Sequence, residues 1–280
     1  MSRQDDELAI RRILVALDAS HHSLAALKAA VELAANLKAE LQGLFVEDVN
    51  LLRVAGSPAA RETRYPFGDT ARLNPARMAR QLRAQAAQAR QALETACEQR
   101  QVKHSFQVVR GEVTPEVLAA ALGADLLTLG KASRPLIQRV RLGSTALAAA
   151  VQGPCCVLLL QRDMGIRSPV VVTYDSSPTA RKALMIATYL AQKNGGYLAV
   201  LNLADSPEEE HRLQAETADW LRGQGLLIRY RRLTKVGVAT LTQAVRTEGS
   251  GVLVLGGTML QPDALQALLD VVDCPVLLVR

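Results

Sequence analysis

A chain of 280 residues, 49% hydrophobic and 21% charged, has the composition of an ordinary soluble globular protein of one or two domains, with ample material for a core. No apolar run reaches the roughly 18 residues needed to span a bilayer, which excludes a transmembrane helix. A net charge of +6 with a pI near 9.3 permits nucleic acid, a membrane surface or a phosphorylated ligand, selects none of them, and is equally compatible with plain solubility.

The chain opens on a polar stretch, MSRQDDELAIRR, with no apolar signal core, and reads as cytoplasmic. RILVAL follows, a continuous apolar run of the kind that forms a strand buried on both faces. Residues 20–38 place Leu24, Leu27, Val31 and Ala34 at helical spacing. ELQGLFV is a second strand. Residues 49–73, rich in turn formers and arginines, read as a long loop. A helix over 74–100 buries Met78, Leu82, Ala86, Ala89 and Leu93 and turns Arg77, Arg80, Arg83 and Arg90 mostly outward. That arginine stripe lacks aromatic interleaving, so a solvated face is favoured over a nucleic-acid surface. HSFQVV is a third strand and 113–122 a short helix, with Pro115 tolerated in its first turn. DLLTL is a fourth strand. A loop with the cations Lys131, Arg134, Arg139 and Arg141 then runs to a helix starting near Gly143, and CCVLLL is a fifth strand. QRDMGIRSP, at 161–169, reads as a linker.

Beyond the linker the pattern repeats. ILVALDASHHSLAALKAAVELAANLKAELQGLFVED (13–48) aligns without a gap on VVVTYDSSPTARKALMIATYLAQKNGGYLAVLNLAD (170–205), with 11 of 36 positions identical, Asp18/Asp175 and Ser20/Ser177 among them. The offset is 157 here and 126 from Gly111/Gly237 onward, so the first copy carries 157 − 126 = 31 extra residues after Asp48. It falls to 121 at Pro154/Pro275, so the second copy has lost 126 − 121 = 5 residues after Gly256. In the second copy VVVTY, YLAVLNL, LLIRYRR, GVLVLG and PVLLV read as strands, with helices over 177–193, 206–222, 238–248 and 262–271 between them. Alternation of this kind means a parallel sheet covered by helices on both faces. We therefore expect two α/β domains, 1–163 and 167–280.

Ligands of such sheets bind at the carboxyl ends of strands, where the winding reverses. Asp18 and Ser20 follow strand 1 of the first copy. Gly130 follows strand 4, and Gly143, Ser144 and Thr145 begin the next helix. Backbone amides and hydroxyls at a helix N-terminus favour an anion, glycines allow a close approach, and Lys or Arg adds charge-assisted bonds. A plain cap formed by Ser144 or Thr145 is the competing reading. P-loop and dinucleotide fingerprints are absent. Cys97, Cys155, Cys156 and Cys274 form no C-x-x-C pair and have no histidine cluster beside them, so buried thiols are expected rather than metal ligands. His21 and His22 sit near the strand end, and solvated first-turn residues are favoured over a proton-transfer role. No catalytic constellation stands out, and the chain does not read as an enzyme.

The duplicated α/β unit, the LVALDAS start and the late glycine loop resemble the universal stress protein family. Its nucleotide-binding members carry G-x2-G-x9-G-[ST], a pattern that falls here on Gly130, Ser133, Gly143 and Ser144, with Ser133 in place of a glycine. Serine fits there where φ is negative and is disfavoured where φ is positive. The resemblance implies two tandem five-stranded, parallel-sheet, Rossmann-like domains of strand order 3-2-1-4-5. It also implies ATP, with Mg, at the switch between strands 1 and 4. Ala16 and Asp18 would then meet the adenine and ribose side, and Val46 would offer backbone to adenine. Gly130, Ser133, Gly143, Ser144 and Thr145 would cradle the phosphates. The second copy keeps Gly256 and Gly257 but loses the later Gly-Ser and every loop cation, so it reads as degenerate. In this family fifth strands pair across a two-fold axis, which implies an intramolecular pseudo-dimer and leaves a homodimer open. The rival function is a non-nucleotide, partner-binding stress protein, in which the loop is a relic and 49–73 is the interaction element. A third is binding of another adenylated or cyclic nucleotide in the same cleft. The protein partner is unknown on any of these readings.

Overall fold

Each continuous apolar run of the first copy becomes a strand with both faces covered. In the computed structural model these are β1 (Arg12–Ala16), β2 (Glu40–Asp48), β6 (Leu126–Gly130) and β7 (Cys156–Leu160). The structure describes residues 10–18, 20–57, 61–64, 69–72, 74–131, 142–160, 165–249, 251–257 and 259–280. The third strand of the first sheet is β5 (His104–Gly111), at an edge, and it is correspondingly more exposed. Helix α1 (His21–Leu37) starts where Ser20 accepts the Ser23 N–H at 3.2 Å. Helix α3 (Pro75–Arg100) is capped by Asn74, has Pro75 in its first turn, and buries Leu82, Ala86, Ala89, Leu93 and Cys97. Helices α4 (Val113–Ala121) and α5 (Ser144–Gln152) complete the half.

The segment read as a long loop is not one. It opens with helix α2 (Val49–Gly56), then forms the strands β3 (Arg61–Arg64) and β4 (Asp69–Arg72), which pair antiparallel in a separate two-stranded sheet. The Asp48 carboxylate accepts the Asn50 N–H at 2.8 Å and caps the helix, and Ala55 is its buried residue.

The second copy gives β8 (Val170–Tyr174), α6 (Pro178–Lys193), β9 (Tyr197–Leu203), α7 (Pro207–Leu221), β10 (Leu227–Leu233), α8 (Val238–Glu248), β11 (Val252–Gly256), α9 (Pro262–Val271) and β12 (Val276–Val279). Glu208, Glu209 and Glu210 lie in the first turn of α7, where the helix dipole favours them. The order across the sheet is β10-β9-β8-β11-β12-β7-β6-β1-β2-β5, which is 3-2-1-4-5 twice, meeting head to head. Within each half the pairs are parallel. At the joint β12 and β7 run antiparallel, with Val276 opposite Leu159 and Leu278 opposite Val157. Both joint strands are buried along their whole length, so pairing removes two apolar edges.

One core layer runs under α1, α3, α6 and α7, and the other under α4, α5, α8 and α9; each spans both halves. Trp220 is half-buried against the first layer. All four cysteines are buried and in no disulfide, and burial pushes the Cys97 and Cys155 thiols up to about 11. Among the described residues, no helix is long and apolar enough to cross a membrane.

Candidate functional site

The carboxyl ends of β1, β2 and β6 open into a cleft of about 440 Å³, within the range of small-ligand pockets. Strand β1 sits between β2 and β6 in the sheet, and the helices that follow β1 and β6, α1 and α5, pack on opposite faces and leave a crevice. The first turns of α1, α4 and α5 form its rim, and α2 and α3 lean over it with Asn50, Leu51 and Gln85.

Of the residues singled out from the sequence, Ala16, Asp18, Val46, Gly130, Ser144 and Thr145 line this cleft together. Gly143 is the N-cap of α5, immediately before them. Ser133 lies outside the described residues. The hydroxyls of Ser144 and Thr145 are not the cap: the N-cap is Gly143, with no side-chain cap bond. Thr145 instead shares a 2.8 Å hydrogen bond with Thr114 of α4 across the mouth. Asp18 accepts the Ser20 N–H at 3.0 Å through Oδ1, which fixes the turn out of β1.

Two sequence expectations are corrected here. His22 is not solvated: it is 6% exposed, packed in the first turn of α1 against the end of β6. A Cβ built on Gly130 would stand 2.8 Å from the Cβ of His22 and 2.9 Å from its carbonyl carbon, so glycine is what lets helix and strand meet. Lys131, counted among the loop cations, is 3% exposed and donates its Nζ to the Val272 carbonyl at 2.6 Å, in the other half of the chain. Desolvation lowers its pKa, opposed by Cys274, Asp273 and Asp270 nearby. It is not a described wall of the cleft.

The described lining carries three carboxylates, Asp18, Asp48 and Glu112, and no Lys or Arg. Arg53 of α2 pairs with Glu112 of α4 at 3.7 Å, both side chains well exposed. The sequence reading missed Asn50, Gln85 and Glu112. Gln85 lies far along the chain from β1, and only the way α3 lies over the strand ends brings it in. Asp48 and Glu112 carried a local signal as helix N-cap positions, which was open to inspection.

The equivalent position in the second half is nearly closed. Thr173, Asp175, Ser177, Thr179, Gly256 and Met259 surround about 10 Å³, room for roughly one water. On the opposite flank of the β8 end, Glu216 of α7 accepts from Tyr174 Oη at 2.7 Å, from Ser176 Oγ at 2.6 Å, and from Arg181 Nη2 at 3.0 Å.

Fold and cleft together define a duplicated, doubly wound α/β protein with an open crevice at the topological switch point of its first half. A sequence model of the universal stress protein family matches residues 9–161, and the chain belongs to that family. No curated protein matches it. Among solved structures, it is similar to a universal stress protein from Archaeoglobus fulgidus DSM 4304, with a TM-score of 0.73 and 14% identity over 97% of this chain and 99% of that one. It is also similar to a functionally unknown protein from Pseudomonas aeruginosa PAO1, with a TM-score of 0.61 and 15% identity over 98% and 94% of the two chains. At these identities the likeness is one of fold, and it extends through both halves.

Proposed function

We propose that this is a cytoplasmic, tandem universal stress protein of two domains, 1–163 and 167–280, joined as an intramolecular pseudo-dimer. On this reading it binds ATP, with Mg, or a related adenine nucleotide, in the first domain only, and acts as a regulatory protein rather than an enzyme. The observation that carries this is the asymmetry of the two strand-end sites, about 440 Å³ against about 10 Å³. Asp18 keeps one carboxylate oxygen for ribose hydroxyls, since only Oδ1 is used by Ser20. Val46 offers backbone to the adenine edge. Ser144, Thr145 and the first-turn amides of α5 face the phosphates, with Gly130 and Gly143 allowing close approach; Ser133 belongs to the same set by its place in the motif.

Calorimetry on the full chain tests this. Mg·ATP should bind near one equivalent, and Asp18→Ala should weaken it by about tenfold or more, the worth of one charge-assisted hydrogen bond. Asp18→Asn, which retains an acceptor for Ser20, should separate loss of charge from loss of the turn. No heat at millimolar ATP would overturn the reading.

The lining favours one rival. Three carboxylates with no described cation suit a non-nucleotide, partner-binding protein in which the phosphate loop is a relic. On that reading α2 and the β3–β4 hairpin are the interaction element. Asp18→Ala then leaves partner capture unchanged, whereas deleting 57–73 abolishes it.

A further inference from the structure

Among the described residues the strand-end site of the second half is nearly closed, yet this half touches the chain on both sides of α5, the helix whose first turn lines the first half's cleft. Lys131, the residue after β6, is buried and donates Nζ to the carbonyl of Val272, the C-cap of α9, at 2.6 Å. The Leu142 N–H donates to Asp270 Oδ1, in the last turn of the same helix, at 3.1 Å. The Gly143 N–H donates to the Lys131 carbonyl at 2.9 Å, which ties these two points together just before α5. At the far end of α5, Arg280 Nη2 donates to the Ala150 carbonyl at 2.6 Å. Helix α5 is therefore held from the second half at both ends, and its first turn carries Ser144 and Thr145 into the cleft.

The arrangement is not a by-product of the duplication. At the offset of 126 the second-half equivalent of Lys131 is Gly257, and at the offset of 121 the first-half equivalent of Asp270 is Ala149. Neither can make the reciprocal contact. A lysine is rarely buried without strong partners. Here the carbonyl end of α9 supplies the partial negative charge that favours a cation.

We infer that α9 of the second half positions the N-terminus of α5, through Lys131 and Asp270, so that ligand affinity in the first half's cleft is set partly by the second half. Lys131 and Asp270 are positioning residues and touch no ligand. The affinity part rests on the cleft being an anion site as proposed above; the positional part does not.

The test uses the full chain with no ligand, then with Mg·ATP. Asp270 is exposed, so Asp270→Ala removes the acceptor without opening the core; Lys131→Met removes the buried charge, and Asp263→Ala serves as an exposed control on α9. Amide hydrogen exchange is read at Gly143 and Leu147, whose own acceptors, the Lys131 and Gly143 carbonyls, are untouched by Asp270→Ala. Asp270→Ala and Lys131→Met should speed exchange there about tenfold, the control should not, and the melting temperature of Asp270→Ala should stay that of the wild type. In Asp270→Ala, Mg·ATP should bind about tenfold more weakly. Unchanged exchange at Gly143 and Leu147 in both variants would overturn the inference. If the wild type binds no ATP, the proposed function falls and the exchange result alone decides the positional role. Faster exchange with unchanged affinity overturns the claim that the second half sets affinity.

Discussion

Gly130→Ala should destabilise the protein by roughly 2–3 kcal/mol, the cost of forcing an extra methyl into a packed interior. The equivalent change Gly256→Ala should cost less than about 1 kcal/mol, because replacing glycine also stiffens the unfolded chain. The two glycines end equivalent strands and differ in what faces them. A Cβ at Gly130 meets the Cβ, carbonyl carbon and carbonyl oxygen of His22 at 2.8, 2.9 and 3.1 Å, so a helix backbone has to move. A Cβ at Gly256 meets Thr179 Oγ1 at 3.4 Å, an ordinary contact with a small side chain. His22 lies in the first turn of α1, so relief at Gly130 shifts Ser20 and Ser23, both of which line the cleft. Urea unfolding of the two variants beside the wild type measures the difference. Equal losses would mean that the approach of α1 to β6 is not what Gly130 is for.

The legible part of this fold is the part governed by one-dimensional patterns. Parallel strands buried on both faces must be continuous apolar runs, and RILVAL, DLLTL and VVVTY are such runs; helices beside them must be apolar every three to four residues. Duplication doubled the signal, because Asp18/Asp175 and Ser20/Ser177 mark the same turn twice. Helix α2 was legible in principle, since Asp48 is a capping residue and Leu51, Leu52 and Ala55 fall on one face, but the Gly-Ser-Pro stretch and arginines that follow it read as loop. The hairpin β3–β4 has no alternating apolar pattern in RETR or DTAR, so nothing marked it. The cleft was legible where its residues end strands or begin helices, as at Asp18, Gly130 and Ser144. Gln85 comes from mid-helix, and the destination of Lys131 depends on a helix some 140 residues later in the chain. A cation beside a glycine looks the same in sequence whether it faces a phosphate or a helix end.

Glu216→Ala should cost about 2–3 kcal/mol, and this loss should be specific to the second half. The Glu216 carboxylate is the common acceptor for Tyr174, Ser176 and Arg181. Tyr174 is 2% exposed, so removing its acceptor breaks the hydrogen bond of a buried hydroxyl, which is the largest part of the loss. At the repeat offset of 157 the first-half equivalents of Tyr174, Ser176 and Arg181 are Leu17, Ala19 and Leu24, so no such network can form there. The second half thus spends its polar groups on cross-linking α6 to α7 over the end of β8, and the first half keeps an open crevice at the corresponding strand end. Hydrogen bonds from Ser176, then Tyr174, hold the Glu216 pKa below the ordinary carboxylate range, against desolvation. A depressed folded-state pKa gives stability that is present above the unfolded value, about 4.3 for Glu, and lost as pH falls through the folded one. Glu216→Gln keeps the shape and removes the charge, so the wild type should lead it at pH 7 and lose that lead below about pH 4. The carboxylate is 33% exposed, so solvent screening keeps the difference between these two modest, and the Ala variant is the more sensitive probe. A gap between wild type and Glu216→Gln that stays constant from pH 7 to acid would mean that the network is held by shape and that the charge of Glu216 contributes nothing.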